Sequence, residues 1–171
     1  MRLRRLVTDD LAALHAIQSR EDVTRWLYWE PRVLDEVREA LEAHITRPED
    51  EGVVLAVEPR GGGGLIGTVN LIVDAANHQG EIGFMFHPDV QGRGYATEAA
   101  RAVLRVAFER YRLHRVCARL EPRNEASARV LEKLGMRREA LLVENEWVKG
   151  EWQSELVYAL LAREWEASQR S

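Results

Sequence analysis

Cysteine is nearly absent from this chain: Cys117 is the only one among 171 residues, so no internal disulfide can form. It lies in the apolar strand pattern Val116 to Leu120, and with no histidine partner visible from sequence the thiol reads as buried and inert. His15, His44, His78, His87 and His114 show neither HxxxH nor HxH spacing, and one cysteine cannot complete a structural zinc site. No apolar run approaches the roughly 18 residues of a membrane span, and no apolar stretch with a cleavage site follows the basic start Met1 to Arg5. An excess of basic charge is missing too: the formal net charge is −4, which argues against a broad nucleic-acid footprint. Repeats, low-complexity tracts and linkers are also lacking. The expectation is a cytoplasmic protein with no metal, membrane or nucleic acid among its partners.

What is present, 46% apolar and 30% charged residues, is the mixture of an ordinary globular protein. Residues 1–171 read as a single domain, long enough to bury roughly two-thirds of its unfolded surface. Leu3 to Val7 resembles a short strand, and Thr8 is placed to cap a helix carrying Leu11, Leu14 and Ile17 at helical spacing. A short segment with Val23, Trp26 and Leu27 follows, then a helix from Val33 to Ile45. Trp26, Tyr28 and Trp29 are more aromatic bulk than one short helix needs. They either pack helices on a sheet or form one wall of a substrate pocket.

Strand patterns cover Val53 to Val57 and Leu65 to Val73, joined by a flexible turn with Gly61 to Gly64. In Gly80 to Phe86 the residues alternate, with Glu81, Gly83 and Met85 on one face and space left beside Gly83. A helix from Thr97 to about Arg112 buries Ala100, Val103, Leu104, Ala107 and Phe108. The strand Arg115 to Leu120 stops at Pro122, and Asn124 is an N-cap candidate for a helical stripe ending at Gly135. Two strands, near Arg137 to Val148 and Trp152 to Leu160, turn at Lys149-Gly150 ahead of a helical tail from Ala162. Strands with helices crossing between them give one α/β (α+β) domain on a single sheet.

Gln91-Gly92-Arg93-Gly94-Tyr95-Ala96 stands between an apolar strand and a helix start, where unpaired N–H groups and the positive helix end converge. Such a turn suits an anion, most naturally phosphate, unless its glycines only ease a tight connection. It is not a Walker loop, having no Gly-Lys-Ser or Gly-Lys-Thr, and it lacks the third glycine of a dinucleotide fingerprint.

This hexapeptide resembles the pyrophosphate loop of the GCN5-related N-acetyltransferase (GNAT) superfamily, with Gln91, Gly94 and Ala96 at the pattern positions. Asn124-Glu125-Ala126-Ser127 and Val130 to Met136 resemble its second motif, in the form of the RimJ/RimL-type ribosomal-protein N-acetyltransferases. Glu144 to Trp147, Gly150, Tyr158 and Glu164-Trp165 fit that branch as well. The resemblance implies a mixed, mostly antiparallel sheet with helices on both faces, splayed between the Ile82 and Val116 strands. It implies acetyl-CoA as co-substrate, with its phosphates on Gln91, Gly92, Arg93, Gly94, Tyr95, Ala96 and Thr97 and its pantetheine along Phe84, Met85 and Phe86. A backbone N–H of that strand would steady the oxyanion.

The implied reaction moves an acetyl group to a primary amine. An α-amine, with a pKa of about 7.7 to 8, is neutral far more often than a lysine near 10.4. A protein or peptide N-terminus is therefore the expected acceptor. A small amine such as an antibiotic or polyamine, or a domain that binds acyl-CoA without turnover, are the alternatives. Glu81 is the candidate base by strand position and resemblance. Relatives place a tyrosine acid where this chain has Leu131, and the branch implies Ser127 in its stead, bonded to the thioester sulfur, with Asn124 ordering cofactor or water. Trp26, Tyr28, Trp29 and Trp147 are substrate-pocket candidates. Ser154 stands where many relatives carry an aspartate, and a homodimer is common in similar enzymes.

Overall fold

The computed structural model describes residues 1–170. Its strands are β1 (Arg2–Arg5), β2 (Gly52–Glu58), β3 (Gly67–Asp74), β4 (Gln79–Phe86), β5 (Arg115–Leu120), β6 (Arg137–Val148) and β7 (Glu151–Leu161). They form one seven-stranded sheet in the order β1-β2-β3-β4-β5-β7-β6. Every neighbouring pair is antiparallel except β4 and β5. A parallel pair needs a crossover, and here a helix supplies it.

Helices α1 (Leu11–Gln18), α2 (Glu21–Thr24) and α3 (Leu34–Thr46) come before β2, while α4 (Tyr95–Arg105), α5 (Glu125–Lys133) and α6 (Ala162–Gln169) come after β4. Each set covers one face of the sheet. On the first face, Leu14, Ile17, Val37 and Leu41 pack with Leu6, Ala56 and Leu65. On the second, Ala99, Ala100, Val103 and Leu104 of α4 pack with Ile82, Val116, Leu131, Leu160 and Trp165. Trp165 stacks on Phe108 at 5.8 Å. Burying Leu104 completely contributes about 1.5–3 kcal/mol. No helix among the described residues is long and apolar enough to cross a membrane.

Three local expectations change. Thr8 does not cap a helix: Thr8–Asp10 is a 3-10 turn in which the Asp10 carboxylate accepts from Val7 N–H at 2.9 Å and from Arg4 at 2.6 and 2.7 Å. A carboxylate beside a guanidinium is the stronger acceptor, so it replaces the hydroxyl. Helix α4 ends at Arg105 and continues as a π-helical turn, Val106–Arg110, instead of running to Arg112. Cys117 is half-buried; burial, then Glu81, pushes its thiol pKa up and keeps it protonated.

The β4–β5 ladder is short. It pairs Gln79 with Arg115, Gly80 with Val116 and Glu81 with Cys117, then stops. From Ile82 onward β4 stays bound to β3 alone, and β5 stays bound to β7 as far as Leu120. The sheet therefore splits immediately after Glu81, between the two strands for which a splay was expected.

Candidate active site

The loop from Gln91 to Gly94 feeds helix α4. Gly92 and Gly94 have φ of 75° and 82°, in the left-handed region, and a Cβ at either would meet nothing within 4 Å. Backbone conformation, not crowding by the protein, requires glycine here. Gly94 is the N-cap residue, and the first helical bond runs from Glu98 N–H to its carbonyl at 3.0 Å. The N–H groups of Tyr95, Ala96 and Thr97 precede that bond and have no intrahelical partner. Their dipoles and the helix end act together on the open space beside the glycines.

A cavity of about 490 Å³ extends from this loop through the split in the sheet to α2. It brings together Phe84, Met85, Phe86, Gln91, Gly92, Gly94, Tyr95, Ala96, Thr97, Asn124 and Ser127, and Trp26 forms part of its far wall. Arg93 is exposed and does not line it. Sequence reasoning missed Val23 and Leu27, and also Arg129 and Lys133, two cationic side chains one turn apart on α5. The available signal was their i, i+4 spacing, with Arg129 between the two parts of the second motif and Lys133 inside its second part.

Glu81 lies at the closed end of the split and does not line the cavity. With Met85 it points to the α1–α3 face, while Ile82, Phe84 and Phe86 point to the α4 face. The space expected beside Gly83 is filled: a Cβ there would lie 2.7 Å from Asn70 Oδ1. Glu81 instead meets Arg119 of β5, with Oε2 to Nε at 3.6 Å. Arg119 Nη1 also reaches Glu155 of β7 at 3.4 Å. Glu155, only 4% exposed, further accepts from Asn145 Nδ2 at 2.6 Å and from the Tyr28 hydroxyl. Burial raises the Glu81 pKa, the Glu155 charge pushes the same way, and Arg119 opposes both. Burial and the bond to Glu155 raise the Tyr28 pKa, so its phenol stays protonated and donates. Nothing in the sequence pairs Glu155 with Arg119; an acidic residue beside the apolar run Leu156 to Leu161 was the one sign available.

The remaining candidates divide. Asn124 caps α5, its Oδ1 accepting from Ser127 N–H at 3.2 Å, and this holds Ser127 at the cavity wall. Leu131 is 1% exposed in the core, and the Tyr158 hydroxyl donates to Glu132 at 3.1 Å, so neither offers an acid to the cavity. Trp29 lies under the Arg32 guanidinium at 4.1 Å, outside the cavity lining. Trp147 is 61% exposed and packs edge-on against its ladder partner Trp152 at 5.3 Å. Trp152 precedes Glu155 by three strand positions, so this pair faces away from the Glu81 network, and Trp147 does not line the cavity. Ser154 accepts from the N–H of Glu144, which has φ 48°, and fixes the bulge that turns Asn145 toward Glu155.

Coenzyme A fits these features. Its pyrophosphate matches the free N–H groups of α4, its amides match the β4 backbone left unpaired beyond Glu81, and the cavity volume is that of a cofactor site. Among curated proteins, YnaD of Bacillus subtilis (strain 168), an uncharacterized N-acetyltransferase, is 42% identical over 101 residues, 59% of this chain and 59% of that protein. The match thus spans about three-fifths of the relative's length. YdaF of the same organism, provisionally named a ribosomal N-acetyltransferase, is 29% identical over 153 residues, 88% of this chain and 84% of that one. The spermidine N(1)-acetyltransferase of Escherichia coli (strain K12) is 22% identical over 173 residues, 100% of this chain and 91% of that protein. The crystal structure of a GNAT-family acetyltransferase from Bacillus anthracis superposes with a TM-score of 0.88 at 31% identity, covering 95% of each chain. The family model described as the acetyltransferase (GNAT) domain matches residues 1–137, and the chain belongs to that family.

Proposed function

We propose that this protein is an acetyl-CoA-dependent N-acetyltransferase acting on a primary amine, the α-amine of a protein or peptide N-terminus in the manner of the RimJ/RimL-type enzymes. One observation carries the reading. The sheet splits at the residue after Glu81, so the cofactor-sized cavity runs along Phe84 to Phe86 of the same strand that carries Glu81 into the carboxylate network.

Bound acetyl-CoA supplies the activated acetyl group; the chain's own groups do the rest. The α4 N-terminus holds the phosphates, and backbone amides of β4 hold the pantetheine in the split. Glu81 takes a proton from the amine, directly or through a water, and its raised pKa makes it a better base than an unshifted carboxylate. An α-amine asks little of that base, since about a tenth of it is already neutral at pH 7. Ser127 Oγ, at the cavity wall, donates a hydrogen bond to the departing sulfur. A thiolate with a pKa of roughly 8.5 needs no stronger acid.

A second reading, a small polycationic amine as acceptor, is favoured by the charge balance. Glu81 and Glu155, with Glu146 acting on Tyr28, face one guanidinium, Arg119. The likeness to a spermidine acetyltransferase bears on this reading as YdaF bears on the first. Thiol release from acetyl-CoA, followed with free-amine peptides, the same peptides N-terminally blocked, and spermidine, separates them. Turnover confined to unblocked peptides is the expected result. Turnover with spermidine alone favours the second reading, and no release with any amine refutes transfer.

A further inference from the structure

We infer that Glu155 is a positioning residue for the transfer: it holds the Arg119 guanidinium back from Glu81, so that Glu81 keeps a carboxylate able to accept the amine's proton. The inference rests on the proposed role of Glu81 as base.

The geometry is that of a shared cation. Arg119 on β5 stands between two carboxylates on neighbouring strands, 3.6 Å from Glu81 on β4 and 3.4 Å from Glu155 on β7. Arg119 Nη1 donates a long hydrogen bond to Glu155, whereas its contact with Glu81 is an ion pair without a hydrogen bond, longer than the roughly 2.7–2.9 Å of a formed charge-assisted bond. Glu155 cannot move to close the gap. Its side chain is 5% exposed, and its two oxygens are fixed by Tyr28 on one and by Asn145, at 2.6 Å, on the other. Glu81 and Arg119 are each 43% exposed and are held by fewer contacts than Glu155.

Without the Glu155 charge, Arg119 would settle on Glu81 as a paired ion and hold its proton-accepting oxygen. The remaining charged and titratable groups act less directly. Cys117 on β5 faces Glu81 but is kept protonated, Tyr28 from the segment after α2 is kept protonated by burial and Glu155, and Glu146 on β6 acts on Tyr28. Arg119 itself is pulled down by burial, yet Glu155 and then Glu81 hold it above its ordinary value, so it stays charged throughout.

The test reads Glu81 directly and needs no acceptor. The full-length protein is labelled with 13Cδ-glutamate, the Glu81 resonance is assigned by its loss in E81Q, and its titration is compared in wild type, E155Q and R119Q. Glutamine keeps the shape of Glu155 and an oxygen for Tyr28, while removing the charge. The expected result is a Glu81 midpoint that falls in E155Q, where a like charge is lost, and rises in R119Q, where an opposite charge is lost. An E155Q midpoint that is unmoved or raised overturns the inference. Where E155Q lacks the dispersed spectrum of a folded protein, an unmoved R119Q midpoint overturns it. Turnover by E81Q is the separate measurement. Wild-type rates in E81Q remove the base role on which the inference rests, whereas abolished turnover with an unmoved E155Q titration removes only the inference.

Discussion

Replacing Gly94 separates the two demands placed on one residue. Its φ of 82° lies where a β-carbon costs about 1–2 kcal/mol, so Gly94→Ala and Gly94→Trp carry similar backbone strain. A Cβ there meets nothing within 4 Å, so the first side-chain atom of either variant adds no clash with the protein. For a chain of this length each kcal/mol lowers the Tm by roughly 2–4 °C, so both variants should melt about 2–8 °C below wild type. Binding distinguishes them. The indole enters the open space over the N–H groups of Tyr95, Ala96 and Thr97, and a hydrogen bond to a charged group contributes about 1.5–3 kcal/mol. Losing two such bonds costs roughly 3–6 kcal/mol, a hundredfold to ten-thousandfold in Kd. Calorimetric titration with coenzyme A at fixed ionic strength reads this directly. Wild-type affinity in Gly94→Trp would refute the loop assignment, and an unchanged Tm in Gly94→Ala would refute the conformational argument.

Glu81→Gln should lower kcat by about 10²–10⁴-fold and abolish the acid limb of the pH–rate profile with little change in KM for acetyl-CoA; full activity from pH 6 to 9, roughly the span of an α-amine titration, would refute its role as base. Leu104→Ala, at a fully buried position of α4, should destabilise by about 2–5 kcal/mol in denaturant unfolding, and a loss under 1 kcal/mol would contradict the described core. Burial pushes the Asp10 pKa up, but Arg4 and the Val7 N–H outweigh it and hold the folded value low. That stabilisation is full above the unfolded pKa and is lost as the pH falls through the folded one, so the Tm difference between wild type and Asp10→Asn should be full at pH 7 and shrink once the pH drops below about 3.9. A pH-independent difference would assign the Asp10 effect to packing.

Much of the fold was legible because its signals are local. The period of two in Gly80 to Phe86 and the helical stripe of Ala100, Val103, Leu104, Ala107 and Phe108 each state what a segment buries, and all five stripe residues are buried. The end of α4 was misread because Val106–Arg110 keeps helical burial while changing its hydrogen-bond period, which side-chain pattern does not record. Thr8 was misread because its competitor, Asp10 paired with Arg4, depends on β1 lying beside the turn.

The site divides along the same line. The cavity lining draws on contiguous stretches, Phe84 to Phe86 and residues of the Gln91 to Thr97 turn, with Asn124 and Ser127 one cap apart, so sequence alone could name them as candidates. The glycines at 92 and 94 follow from their backbone angles. The polar network around Glu81 draws Tyr28, Glu81, Arg119, Asn145 and Glu155 from five separate segments, and only the strand order β4-β5-β7-β6 sets four of them side by side. Trp147 looked eligible by its neighbours in sequence, yet its register with Trp152 turns it to the other face. The sequence by itself determined the sheet-and-helix pattern and the glycine turn that opens α4, because spacing and backbone conformation are properties of neighbours in the chain. Which charges share Arg119, and where the sheet opens beside Glu81, only the tertiary structure decided, because strand register brings together residues that no local pattern links.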